Sequence, residues 1–168
     1  MGLDLDEWVV RLTTEEDWKI LKTVRLESLL DSPEVFAMTY AVVEQYSESE
    51  WRNRASQKTR HQYILAIKGG RAIGIIGGTQ NAVHEFNLIA MWVNPMFRGR
   101  GIADLLISAI KGVAISQGYS RVVLSVSPDN LRAVNFYSRH NFVFIPEWEA
   151  LPLESGRRNQ KMECVGLF

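Results

Sequence analysis

The sequence predicts an α/β fold, and three observations carry that expectation. Seven apolar runs have the length and branching of strands. Four further segments carry helical periodicity or helix caps. In the second half of the chain the two kinds alternate, so the full order reads β-α-α-β-β-β and then α-β-α-β-β.

Glu7–Leu12 reads as a short strand, with Trp8, Val9, Val10 and Leu12 apolar. Thr13-Thr14 followed by Glu15-Glu16-Asp17 predicts a helix start, with hydroxyl caps and then acids on the positive helix end. That helix runs to about Leu30 and stops at Asp31-Ser32-Pro33, because Pro33 disfavours helical backbone before it. Val35–Tyr46 fits neither period. Ser47–Ser56 predicts a second helix, with Ser47 and Glu50 spaced as a capping box. Tyr63–Lys68 and Ala72–Thr79 are strands joined at Gly69-Gly70-Arg71, a hairpin signal. Phe86–Val93 is a third strand of this group, ending at Asn94-Pro95.

Ile102 to Ala114 is the clearest helix. Ile102, Leu105, Leu106, Ala109, Ile110, Val113 and Ala114 form one apolar stripe at helical period. Gly118 supplies a stop. Arg121–Val126 follows as a β-branched strand, and the step from Phe86 through Val126 predicts a right-handed crossover between parallel strands. Asp129 or Asn130 opens a last helix to about Arg139, and Phe142–Ile145 and Lys161–Val165 close the sheet.

The length of 168 residues and the absence of a linker-like stretch predict a single domain over 1–168. Lys plus Arg is 19 and Asp plus Glu is 19, a neutral balance that argues against a general nucleic-acid binder. Cys164 is the one cysteine, so no intramolecular disulfide forms, and a reducing, cytoplasmic location is expected. Cys164 lies in an apolar stretch and reads as a buried, inert thiol. No run approaches the roughly 18 apolar residues of a membrane span, so no membrane partner is expected. His61, His84 and His140 are scattered without metal-ligand spacing, and no metal is expected.

The segment Val93-Asn94-Pro95-Met96-Phe97-Arg98-Gly99-Arg100-Gly101-Ile102-Ala103 carries the functional reading. A strand ends, a glycine-containing turn follows, and the long helix begins. Amides at a helix start lack intrahelical partners and sit in the positive end of the helix dipole, so together they make an anion site. Gly99 and Gly101 leave room for close approach, and Arg98 and Arg100 add charge that can pair with phosphate oxygens. Neither GxxxxGK[ST] nor GxGxxG after a strand is present.

Arg98–Ala103 resembles the [Q/R]-x-x-G-x-[G/A] signature of the GNAT (Gcn5-related N-acetyltransferase) superfamily, in the expected place between a strand and the long helix. Asp129-Asn130-Leu131-Arg132-Ala133-Val134-Asn135-Phe136-Tyr137 with Asn141-Phe142 resembles its N-x-x-A-x-x-x-Y-x-x-x-G-F segment, with Asn141 where the family has glycine. Asn tolerates left-handed backbone, so the turn is expected to survive. The resemblance implies a mixed, mostly antiparallel sheet of six to seven strands, flanked by about four helices and splayed at an acyl-CoA site. It implies acetyl-CoA as cosubstrate, with amides from Gly99 to Asp104 on the pyrophosphate, and the backbone of Met91, Trp92 and Val93 on the pantetheine arm. It implies that Asn130 binds the coenzyme and that the Tyr137 hydroxyl faces the thioester sulfur as general acid. Homodimers are common in the family.

The implied reaction is transfer of an acetyl group to an amine, and it needs a way to remove the amine's proton. Related ribosomal-protein N-acetyltransferases place a glutamate five residues before the Asn, where this chain has Ser125. Glu85, at the start of the Phe86 strand, is the remaining candidate base. The acceptor, a small molecule or a peptide N-terminus, is expected against Phe36, Tyr40, Trp51 and the 147–158 loop. Two other readings compete: a non-catalytic acyl-CoA-binding or sensing module, suggested by Ser125, and a nucleotide or polyphosphate binder using the same turn.

Overall fold

A computed structural model of the chain describes residues 8–33, 35–36, 38–150 and 158–166. The elements in order are β1 (Val9–Leu12), α1 (Trp18–Asp31), α2 (Tyr40–Val43), α3 (Glu48–Ala55), β2 (His61–Lys68), β3 (Arg71–Gln80) and β4 (Phe86–Val93). They continue as α4 (Ile102–Ser116), β5 (Arg121–Val126), α5 (Leu131–Arg139), β6 (Val143–Ala150) and β7 (Arg158–Val165). The strands form one seven-stranded mixed sheet in the order β1-β2-β3-β4-β5-β7-β6. β1–β2, β2–β3, β5–β7 and β6–β7 are antiparallel. β4 and β5 are parallel, with Phe86 opposite Val122 and Asn87 opposite Val123. Among the described residues no helix is long and apolar enough to cross a membrane.

The chain divides into two compact units. The first holds the chain up to Thr79 together with Ile89–Ile110; the second holds Gln80–Leu88 and the chain from Lys111 onward. In the first, Leu21, Val24 and Leu29 of α1 and Trp51 and Ala55 of α3 are buried in one cluster with Leu65, Ile75, Ala90 and Trp92 of the sheet. Each such large apolar side chain stabilises by roughly 1.5–3 kcal/mol. In the second, β7 lies between β5 and β6, and Met162 and Cys164 are buried there with Val122, Val123 and Leu124.

Local details differ from the sequence expectation in instructive ways. Helix α1 starts three residues late. Glu15–Asp17 forms a 3-10 turn, because the Asp17 carboxylate accepts from the Thr14 amide at 2.7 Å and from Arg11 at 2.7 and 2.9 Å. Ser47 caps α3 through the Glu50 amide at 3.1 Å, but the Glu50 carboxylate pairs with Arg54 instead of completing the box. Part of Val35–Tyr46 becomes the short α2, capped by Thr39. The buried face of α4 is Ile102, Leu106, Ile107, Ile110 and Ala114, whereas Leu105 is 48% exposed. The face is thus turned by about a residue from the apolar stripe. It seats on Gly74 of β3, where an added Cβ would meet Leu106 Cδ1 at 3.1 Å and Ile102 Cγ2 at 3.3 Å.

Candidate functional site

The turn between β4 and α4 is built from its hydrogen bonds outward. The Asn94 amide donates to the Ile73 carbonyl at 2.8 Å, and its side-chain oxygen accepts from the Met96 amide at 2.9 Å. This starts a 3-10 turn over Pro95–Phe97. Gly99 and Gly101 then both adopt φ +80°, and a Cβ built on either meets no atom within 4 Å. The space in front of them is therefore open. The first amide to close the helix is that of Leu105, which donates to the Gly101 carbonyl at 3.2 Å. The amides of Gly99, Arg100, Gly101, Ile102 and Ala103 donate to no backbone carbonyl among the described residues. Unpaired N–H groups at the positive end of a 15-residue helix are a cradle for an anion. Asp104 occupies the first turn of the helix.

The two arginines of the turn behave differently. The Arg98 guanidinium turns inward: Nε donates to the Val93 carbonyl at 2.9 Å, and Nη2 to Asp31 Oδ2 at 3.1 Å. The Trp92 indole N–H donates to the same Asp31 oxygen at 2.9 Å. These donors hold the Asp31 carboxyl below its ordinary value, with the Trp92 bond the largest cause. Arg98 is thus a latch tying the turn to the ends of β4 and α1. Arg100 stays exposed, its guanidinium 5.4 Å from the Phe97 ring.

Of the β4 residues, Met91 is partly buried, and Trp92 and Val93 are buried. Just before them Ala90 stands at φ +61° inside the strand. A non-glycine residue there costs about 1–2 kcal/mol of local strain. Such outliers gather at functional sites, and nothing in the sequence marks this one.

In the second unit, Asn130 caps α5: its side-chain oxygen accepts from the Ala133 amide at 3.2 Å, which leaves the side-chain amide to donate elsewhere. Tyr137 is buried, its ring edge-on to Phe142 at 5.7 Å and to Phe136 at 5.4 Å. Burial pushes its phenol well above the ordinary value, so the hydroxyl stays protonated near neutral pH. Asn141 adopts φ +69°, the left-handed turn expected where the family has glycine.

Glu85 does not stand free. Its carboxylate accepts from Arg121, from Lys161 at 2.9 Å and from Asn81 at 3.1 Å, and its side chain is 11% exposed. Arg121 also binds Glu163. A proton arriving at Glu85 must displace one of these cations, so the geometry makes it an ion-pair hub and argues against the expected base. Ser125 lies within β5 opposite Lys161. Of the expected acceptor wall, Trp51 is core, 2% exposed, while Phe36 and Tyr40 are partly buried against the same cluster. Residues 151–157 of the 147–158 loop lie outside the described residues.

The model of the acetyltransferase (GNAT) family matches residues 25–142, a span that includes both the turn and α5. The chain belongs to the GNAT family. A protein of Pectobacterium atrosepticum named as an acetyltransferase is 31% identical over 77 residues, 46% of this chain and 54% of that protein. One from Photorhabdus laumondii, also named as an acetyltransferase, is 35% identical over 68 residues, 40% of this chain and 47% of that protein. The chain thus spans about half the length of these curated relatives. The GNAT fold is equally plain in solved structures. A GNAT-family acetyltransferase of Streptococcus pneumoniae superposes with a TM-score of 0.78 at 20% identity, over 95% of this chain and 99% of that one. The PaiA N-acetyltransferase of Thermoplasma acidophilum, in complex with coenzyme A, does so at 0.71 and 17%, with the same coverage.

Proposed function

We propose that this GNAT protein is an acetyl-CoA-dependent N-acetyltransferase that moves the acetyl group to a primary amine by direct attack. The row of amides from Gly99 to Ala103 at the mouth of α4, without backbone partners among the described residues, carries the reading. It is the chemistry a diphosphate needs, and the coenzyme A complex of the PaiA relative is consistent with it. In this reading Arg100 adds charge to the diphosphate, Asp104 borders the cradle, and Met91, Trp92 and Val93 offer backbone to the pantetheine arm. Asn130 and Tyr137 take the coenzyme-side roles that the family motif gives them.

A lysine-like amine with pKa about 10.4 is neutral in roughly one molecule in 2,500 at pH 7, which accounts for about 4–5 kcal/mol of the barrier. The nitrogen attacks the thioester carbon, the C–S bond breaks, and the thiolate leaves. The buried Tyr137 phenol is too weak an acid to surrender its proton fully to a thiolate of pKa about 8.5. Its role is therefore to donate a hydrogen bond to the sulfur as charge develops.

Incubating the protein with acetyl-CoA and a panel of amines, while following free thiol, tests this reading; thiol release dependent on one class of amine is expected. A non-catalytic acyl-CoA-binding module is the second reading, favoured by the occupied Glu85 and by Ser125 at the base position; it expects tight coenzyme binding with no turnover on any amine. The latch gives a further prediction. Asp31→Asn removes the counter-charge of Arg98 and loosens the turn, so KM for acetyl-CoA should rise about 3- to 10-fold, the worth of one ordinary hydrogen bond because the asparagine amide oxygen can still accept, with kcat nearly unchanged. An unchanged KM would show that the turn holds its shape without Asp31.

A further inference from the structure

We propose that the amine acceptor carries a carboxylate, and that Arg25 of α1, with Arg54 of α3 beside it, binds that carboxylate. The proposal rests on the acetyltransferase reading and names its second substrate. The observation is an unbalanced cation. Arg25 is partly buried, its guanidinium 4.8 Å from the Phe36 ring. Among the described residues its side chain makes one hydrogen bond, to the Ser28 hydroxyl at 3.3 Å, out of the five N–H donors a guanidinium carries. Among the described residues no carboxylate pairs with it, and the nearby charge is a second cation, Arg54. Arg54 donates to Glu50 at 2.9 Å and to the Tyr63 hydroxyl at 3.4 Å, and lies 4.6 Å from the Tyr46 ring. Among the described residues Glu50, 43% exposed, is thus the one carboxylate paired with either guanidinium, and it pairs with Arg54.

Burial and then Arg54 hold Arg25 below its ordinary value. His61, stacked on Tyr63, is pushed down to about 4, by burial first and then by Arg54 and Arg60. Removing a charge from water without a partner is unfavourable, and an apolar side chain at position 25 would suit folding better. A ligand that brings the missing negative charge accounts for the arginine. A planar guanidinium with unused N–H groups fits a carboxylate through two parallel hydrogen bonds.

The place fits as well. The Tyr63 ring lies against β3 and β4, where a Cβ on Gly77 would meet Tyr63 Cε1 at 2.9 Å and Ile89 Cγ1 at 3.0 Å. Phe36 and Tyr46 pack on the cluster that contains Ala90 and Trp92. The cationic wall therefore stands on β4, the strand assigned above to the pantetheine arm. An amino acid held by its carboxylate would bring its amine toward that strand. The positive field favours the neutral amine, which eases attack where Glu85 is already occupied. The new N–C bond forms as C–S breaks, the nitrogen's proton passes to solvent, and the products are the N-acetylated acid and free coenzyme A. The same wall repels polyamines.

The test compares free L-amino acids with the matching L-amino-acid amides as acceptors, for the wild-type chain, Arg25→Gln and Arg25→Lys. Wild type should favour the acids at least tenfold in kcat/KM. Arg25→Gln should raise KM for the acids about 10- to 100-fold, leave the amides within about threefold, and melt no lower than wild type; Arg25→Lys should recover part of the loss. Equal use of acids and amides, a preference for polyamines, or equal losses on both series in Arg25→Gln would overturn the proposal. If coenzyme A binds and no amine of either series is acetylated, the enzyme reading fails, and calorimetry with the free acids decides this one separately. Uptake weakened by Arg25→Gln sustains an anion site; no uptake overturns it.

Discussion

Gly101→Val should lower the affinity for coenzyme A by at least about 100-fold while the protein stays folded. Gly101 combines φ +80° with open space in front of its backbone. A Cβ added there meets no protein atom within 4 Å, so the main structural penalty of a valine is backbone strain, about 1–2 kcal/mol. That is small beside the roughly 5–15 kcal/mol that holds a domain together. Its isopropyl group fills the space a phosphate oxygen must enter to reach the amides of α4. Losing two charge-assisted N–H···O bonds at about 1.5–3 kcal/mol each is enough for a 100-fold change. Gly118 supplies the control. It has φ +85° and open space around its Cβ direction, yet follows the opposite end of α4, where no anion is expected. Gly118→Val should carry the same strain and leave coenzyme binding alone. Calorimetric titration and thermal melts of both variants separate the two effects. Binding within threefold of wild type in Gly101→Val would contradict the assignment of the turn.

Tyr137→Phe should lower kcat about 100-fold or more, the range for losing one preorganised hydrogen bond to developing charge, and leave coenzyme binding within about threefold. The ring packs between Phe136 and Phe142, and phenylalanine keeps those contacts. The hydroxyl makes no hydrogen bond among the described residues, so its removal should leave the melting temperature within a degree or two. Steady-state kinetics beside direct binding measure the split. A fall in affinity matching the fall in kcat would place the hydroxyl on the coenzyme's ground state and remove its role at the sulfur.

The elements nearest the site were the most legible, because local rules decide them. β4 falls at Phe86–Val93 as the sequence predicts, since Asn94-Pro95 ends it, and α4 begins at Ile102, directly after the second glycine. Asn141 takes the left-handed turn that its side chain permits. Other features depend on partners far along the chain. Arg98 looks like a phosphate ligand beside its glycines, but Asp31, 67 residues earlier, also draws its guanidinium inward and takes the Trp92 indole N–H as well, a pairing that no local pattern marks. Glu85 reads as a free strand-end acid until β5 and β7 bring Arg121 and Lys161 to it. Ala90 carries no signal at all, because alanine is not a residue that marks left-handed backbone. Arg25 was read only as part of a helix, and its lack of a counter-charge among the described residues emerges once α1, α3 and β2 are packed.

The most direct measurement follows the backbone amide resonances of Gly99–Ala103 as coenzyme A is added. The diphosphate should move these amides downfield in saturable fashion, and pantetheine, which lacks a diphosphate, should leave them in place. Saturating coenzyme A that binds the protein while those five amides stay unshifted would contradict the account.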